Sequence, residues 1–177
     1  MIEKNRNIKR IGSQADTPSG AAPPVVVANP SRLDTYLPVA SPYTTPALVA
    51  GTPTKLLVPT TAKTIKDFTL DIPNSRYFFD APGRSNIWFL GHFSTSMSSS
   101  ASNHIVTVEM YKNGVLEEGI GIDRFISGGA DIGAIGFAGA VQLSDTDYIE
   151  VYITSEGGGT VTLSRTAITI NEIVGAL

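Results

Sequence analysis

Residues 134–153, AIGFAGAVQLSDTDYIEVYI, alternate strictly between two side-chain parities, and that pattern restricts this part of the chain to β-structure. Phe137, Val141 and Leu143 share one parity, and Ala138, Ala140 and Gln142 share the other. After the acidic turn Ser144-Asp145-Thr146-Asp147, Ile149, Val151 and Ile153 fall on one face and Tyr148, Glu150 and Tyr152 on the opposite one. The second parity of the first strand carries alanines instead of charges. Small side chains let another surface approach the backbone closely, so this face is a candidate subunit contact.

The same period recurs through most of the chain. Strands are predicted at residues 55–58, 64–72, 76–80, 86–94, 104–112, 115–118, 160–164 and 167–173, with a polar loop at 97–102. Asn113-Gly114 supplies the positive-φ residues of a tight hairpin. In residues 86–94, NIWFLGHFS, both parities are apolar, so that strand is expected to be covered on both sides. No segment shows helical periodicity. Short strands separated by turns roughly every 8–12 residues point to an all-β sandwich or barrel.

Nine of the eleven prolines lie within residues 18–59. Proline fixes φ, removes a donor and drives its predecessor toward extended geometry, which excludes an ordinary helix there. Val25-Val26-Val27, Leu33, Tyr36-Leu37 and Tyr43 interrupt the segment, so it reads as an extended arm that lays side chains on a surface at intervals. The surface belongs either to its own domain or to a neighbour. Residues 1–79 hold nine Lys/Arg against five Asp/Glu, whereas residues 80–177 hold four against eleven. A basic arm on an acidic domain suits docking to a protein partner, with Lys4, Arg6, Lys9, Arg10, Val26, Leu33, Tyr36 and Tyr43 as the docking residues. The expected division is an arm over residues 1–53 and a domain over 54–177. The arm lacks the interleaved aromatics that stack single-stranded bases, so no nucleic-acid partner is expected.

Chemistry is sparse. The absence of cysteine removes disulfides and thiolate metal sites. Nucleophilic triads need a positioned base, and His92 and His104 are the only histidines. His92 reads as a core histidine beside Trp88 and Leu90, and His104 as a solvated one at a strand start. Asp145 and Asp147 sit in a turn that favours aspartate, and adjacent Glu117 and Glu118 point to opposite faces, so neither pair forms a hydrolytic cleft. No enzyme activity, cofactor or metal is expected. Met1 is followed by charged and polar residues without an apolar run, so synthesis in a cytoplasm and no membrane partner are expected.

Residues 55–177 resemble the trimeric jelly rolls of the tumour-necrosis-factor and complement globular-head type. The resemblance rests on Asn86-Ile87-Trp88-Phe89-Leu90, on Tyr111-Lys112-Asn113-Gly114, and on Gly139-Ala140-Val141-Gln142-Leu143 followed by Asp147 and Ile149-Glu150-Val151. Asn86 and Thr146 depart from positions where glycine is common in the family. The resemblance implies a jelly-roll β-sandwich and a homotrimer whose inner sheet faces the threefold axis. On matching positions it implies that Phe89, Phe93, Ala138 and Ala140 meet neighbours while Trp88, Leu90, Phe137 and Val141 are core.

Jelly rolls of this type also occur in capsid cement proteins of tailed bacteriophages. Together with the arm and the missing catalytic set, this gives the expected role: a cement or decoration trimer bound to the major capsid protein on the virion exterior. The alternative is a receptor- or glycan-binding head of a phage fibre or baseplate, with its site in loops 97–103, 119–133 and 156–159.

Overall fold

Alternation along the sequence becomes two antiparallel sheets laid face to face. The computed structural model describes residues 30–128 and 131–174. Their strands are β1 (Arg32–Tyr36), β2 (Tyr43–Thr44), β3 (Thr54–Lys55), β4 (Thr61–Lys66), β5 (Phe68–Asp71), β6 (Arg76–Phe79), β7 (Ile87–Ser99), β8 (His104–Lys112), β9 (Val115–Ile126), β10 (Gly133–Leu143), β11 (Tyr148–Ser155) and β12 (Val161–Glu172). Among the described residues the only helical element is a 3-10 turn at Ile72–Asn74. The first sheet runs β10-β7-β12-β1-β4, with β2 also on β12. The second runs β5-β6-β11-β8-β9, with β3 also on β11. The protein is an all-β jelly-roll sandwich.

The interior is built from one parity of each long strand. Phe89 and Phe93 of β7 meet Val106, Val108 and Met110 of β8, Ile149 and Ile153 of β11, and Ile168 and Ile170 of β12 in one buried cluster. Phe68, Phe79 and Phe89 form an aromatic knot between the sheets, with ring centroids 5.0–5.5 Å apart in tilted and edge-on pairs, the arrangement that the ring quadrupoles favour. Gly91 and Gly139 face each other across β7 and β10. A Cβ on Gly91 would sit 2.7 Å from Met110 Cε, and one on Gly139 2.6 Å from Ile120 Cγ1. Both glycines therefore make room for side chains of the opposite sheet.

The sandwich begins well before residue 54. β1 lies between β12 and β4, with Leu33 paired to Ile170 and Ile65. Leu33, Thr35, Leu37 and Leu48 are buried. Prolines 38, 42, 46 and 53 break this stretch into short pieces, but the donors between them are used: Leu37 N–H bonds to Thr166 O, Thr45 N–H to Val161 O, and Leu48 N–H to Gly159 O. Residues 30–53 thus wrap their own domain. Leu33, expected to dock on a partner, is core; Tyr43 is half-buried against the core and Tyr36 remains exposed. Lys4, Arg6, Lys9, Arg10 and Val26 lie outside the described residues.

A polar clasp secures the entry of β1. The Arg84 guanidinium donates to Ser31 Oγ at 2.6 Å and forms a two-pronged pair with the Glu172 carboxylate. Ser31 N–H also donates to Glu172 Oε2, and Ser31 Oγ donates to Asp67. Burial alone would raise the Glu172 pKa, but the bonds from Arg84 and the Ser31 N–H outweigh it, and the carboxyl is held below its ordinary value.

Replacing Leu33 with alanine should cost about 2–5 kcal/mol in urea unfolding, because a core leucine is removed. Since the Glu172 pKa is depressed in the folded state, its stabilisation is present above the ordinary carboxylate range and is lost as pH falls below about 4. Glu172→Gln should cost about 1.5–3 kcal/mol at neutral pH. Thermal melts across that acid range should also show a shallower decline for the variant than for the parent.

Candidate functional site

The outer face of the first sheet, where β7 lies beside β10, is the surface that the alanine parity marked. Register decides what it carries. Ala138 pairs with His92, Ala140 with Leu90 and Gln142 with Trp88, so these six residues share the outward face. Phe137 pairs with Phe93, and Val141 with Phe89, on the inward face. Phe89 and Phe93 are 0 % exposed, and Phe93 stacks on Phe137 with centroids 5.5 Å apart.

The expected assignment on β7 is therefore inverted. Phe89 and Phe93 are core and have no surface left for a neighbour, whereas Trp88 and Leu90, expected inside, are 39 % and 45 % exposed. Ala138 and Ala140 do lie on the open face, together with exposed His92. The signal that separates the parities lies past residue 94, in the segment expected to be a loop. β7 continues to Ser99, so the Phe89 parity goes on through Thr95 and Met97, while the Trp88 parity goes on through His92, Ser94, Ser96 and Ser98. One parity turns polar along its length and the other stays buried.

Side chains at the start of β12's exit extend the apolar strip. Ile173 N–H bonds to Trp88 O, and Ile173 is 37 % exposed. The strip thus runs from Ile173 over Trp88 and Leu90 to the two alanines. At its far end, on the edge strand β10, are side chains that end at Cβ.

The histidines also exchange roles. His104 is buried by its inward parity with Val106 and Val108, its Nε2 lies 3.4 Å from Ser99 Oγ, and Nδ1 has no hydrogen-bond partner. Gly157 closes over the ring, since a Cβ there would come within 2.8 Å of it. On the second sheet, Glu150 is 1 % exposed although its parity is outward. Lys55 Nζ and Arg76 Nε both bond Oε1 at 2.9 Å, and the stacked rings of Tyr111 and Tyr152 lie alongside on the same face. The Glu150 hydrogen bond raises the Arg76 pKa. Lys55, Arg76 and Glu150 form an ion triad that ties β3, β6 and β11 together. Among the described residues no group of three His, Asp or Glu side chains converges as a metal site. A groove of about 340 Å³ at the β9 bulge is lined by Thr107, Glu109, Glu117 and Asp123, with the Thr107 hydroxyl donating to Asp123 Oδ1 at 2.6 Å.

No family model and no curated protein sequence matches the chain. Solved structures do. The Eiger TNF of S. frugiperda superposes with a TM-score of 0.57 at 11 % identity, covering 84 % of this chain and 95 % of that one. Murine APRIL crystallised at pH 8.0 gives 0.55 at 14 % identity, and at pH 5.0 gives 0.52 at 16 %; each covers 82 % of this chain and 100 % of the other. The fold is a TNF-like jelly roll. At these identities the likeness concerns the fold, and the jelly roll expected from the sequence is the one present.

Phe89→Ala should cost about 3–5 kcal/mol in denaturant titrations, because it empties a core site. Trp88→Ala should cost less than about 1 kcal/mol, because its side chain lies on the outer face of the sheet. Equal costs would mean that the inverted parity is wrong.

Proposed function

We propose that this protein is a structural component of a tailed-bacteriophage particle. In this reading it is a homotrimeric cement, or decoration, protein that docks on the major capsid protein and stabilises the shell from outside, after synthesis in the host cytoplasm. It acts by binding and has no enzymatic role. The observation that carries the reading is the open apolar strip of Trp88, Leu90, Ala138, Ala140 and Ile173 on the outer face of the first sheet.

A second copy of the chain is the occupant this strip fits. It is a sheet face with two large apolar side chains on β7 beside two alanines on the edge strand β10, so backbones can approach closely at the alanines while Trp88 and Leu90 supply buried area. The jelly-roll likeness supports contact through a sheet face, because the family resemblance implies a homotrimer whose inner sheet faces the threefold axis. Trp88 and Leu90 replace Phe89 and Phe93 as the β7 members of the proposed contact.

The basic segment is the proposed link to the shell. Ser31 is fixed by Arg84 and Glu172, so the segment bearing Lys4, Arg6, Lys9 and Arg10 departs from an anchored root. Three such segments on one trimer would make attachment multivalent, and modest individual contacts then combine into retention.

Ala138→Arg should leave the sandwich folded and place a charge without a partner in the subunit contact, weakening association by on the order of 3–5 kcal/mol. Sedimentation velocity of the variant should show monomer where the parent shows trimer; a trimeric variant would remove this face from the interface. Removing residues 2–29, which leaves β1 intact, should abolish co-sedimentation with undecorated capsids. Retained binding would reject the arm as the docking element.

A further inference from the structure

At the end of the second sheet, a cavity of about 290 Å³ is lined by Thr69, Phe78, Phe79, Asp80 and Thr146. Its position has nothing to do with the apolar strip, which lies on the other sheet. One of its residues is held in a conformation that its side chain disfavours. Thr146 has φ +73°, and it is the only β-branched residue among the non-glycine positive-φ positions of the described residues. A β-branched residue in this region is a steric outlier, and such outliers persist where the surroundings enforce them and concentrate at ligand clamps.

The surroundings here do enforce it. Thr146 N–H bonds to Phe79 O at 2.8 Å, Asp145 N–H to Arg84 O at 2.8 Å, and Asp147 N–H to Ser144 O at 2.9 Å. The Asp145 carboxylate accepts from Ala81 N–H, and Asp147 Oδ2 accepts from Ser144 N–H. Each of these bonds uses backbone or a neighbouring side chain, and none uses the Thr146 hydroxyl. Glycine would satisfy the same turn without strain. The threonine side chain is thus unnecessary to the turn, yet it sits at a cavity.

The rest of the lining says what that cavity suits. Phe78 is half-buried and packs against Tyr148 with centroids 5.1 Å apart, and Arg76 lies over the Tyr148 ring at 4.8 Å, so a band of aromatic surface continues from the cavity. Asp80 is exposed and accepts a 2.8 Å bond from the Thr69 hydroxyl through Oδ2. A carboxylate with two hydroxyls beside an aromatic wall matches a ligand with one apolar face and a rim of hydroxyl groups. An ammonium group could use the carboxylate and the ring, but it only donates and would leave the hydroxyl donor of Thr146 without an acceptor. The lining includes no cation, which disfavours phosphate, uronate or sialate.

We propose that this cavity is a subsite for a neutral pyranose ring, with Phe78 against the apolar face of the sugar and Asp80 and Thr146 on its hydroxyls. The Phe78–Tyr148 band would carry an adjoining sugar of a longer glycan. The inference does not rest on the capsid reading.

The test is an amide-resolved NMR titration of the full chain with the methyl glycosides of glucose, galactose, mannose and N-acetylglucosamine, and with tetramethylammonium as the cationic competitor. At least one glycoside should shift the amides of Phe78, Asp80 and Thr146 with a dissociation constant of about 1 mM. Asp80→Asn and Thr146→Gly should each weaken that binding by about tenfold, the effect of one hydrogen bond to a charged or positioned group. Thr146→Gly should melt no lower than the parent, which separates loss of binding from loss of fold. Absence of shifts at these amides with every glycoside, tighter saturation by tetramethylammonium, or undiminished binding in both variants would overturn the proposal.

Discussion

In an antiparallel pair, directly opposed residues must point to the same side of the sheet, and the identity of this protein's surface depends on that constraint at β7. The strand is apolar on both parities over its first half, so its own sequence permits either orientation. Pairing with β10 removes the choice: Phe89 and Phe93 are committed to the side of Val141 and Phe137. The outer face then receives tryptophan and leucine beside alanine. A slip of one residue would bury His92 and the serines of β7 and expose two phenylalanines to water. The aromatic knot of Phe68, Phe79 and Phe89 fixes the same choice from the opposite sheet.

Much of this architecture is legible in the chain wherever alternation ends at a recognisable turn. β8 is found with its observed limits, because Asn113-Gly114 terminates it and its inward residues are uniformly large. The pair β10 and β11 is equally plain. Three features hide from such reading. β1 is obscured by the prolines that flank it, Pro30 and Pro38, which leave only a short run to read. The second half of β7 looks like a loop because its outward positions are serines; a serine on the solvent face of a strand and a serine in a loop are the same letter. β9 is masked by glycines that belong to a bulge in the strand, at Gly119 with φ +81°, and at Gly121, where Glu109 packs too closely for a Cβ.

The candidate sites were less legible than the fold, for a related reason. Parity tells which residues share a side, but which side faces solvent is settled by a partner strand far away in sequence. Ala138 and Ala140 are marked by their own smallness. Trp88 and Leu90 cannot be, since an apolar side chain reads as core until its register is known. Glu150 is the converse: its parity is outward, yet it is buried, and Lys55 and Arg76 from two other strands bond its carboxylate. Thr146 is marked only by standing where the resembling family commonly has glycine; the bonds that the turn makes to residues 79–84 enforce its backbone handedness.

The place of β12 within the first sheet has a consequence for how the chain reaches this state. Its neighbours are β7 on one side and β1 on the other, so the strand that comes last in chain order among the described residues is the one that joins the two halves of the sheet. Until residues 161–172 emerge, β1 with β4 and β7 with β10 are two separate fragments, and the inward phenylalanines of one have only half of their wall. Pairings this distant in sequence form slowly, and exposed strand edges invite the wrong partners meanwhile. The sheet thus closes only once β12 is available, and a chain that lacks residues 161–172 is a strong candidate for chaperone capture or aggregation.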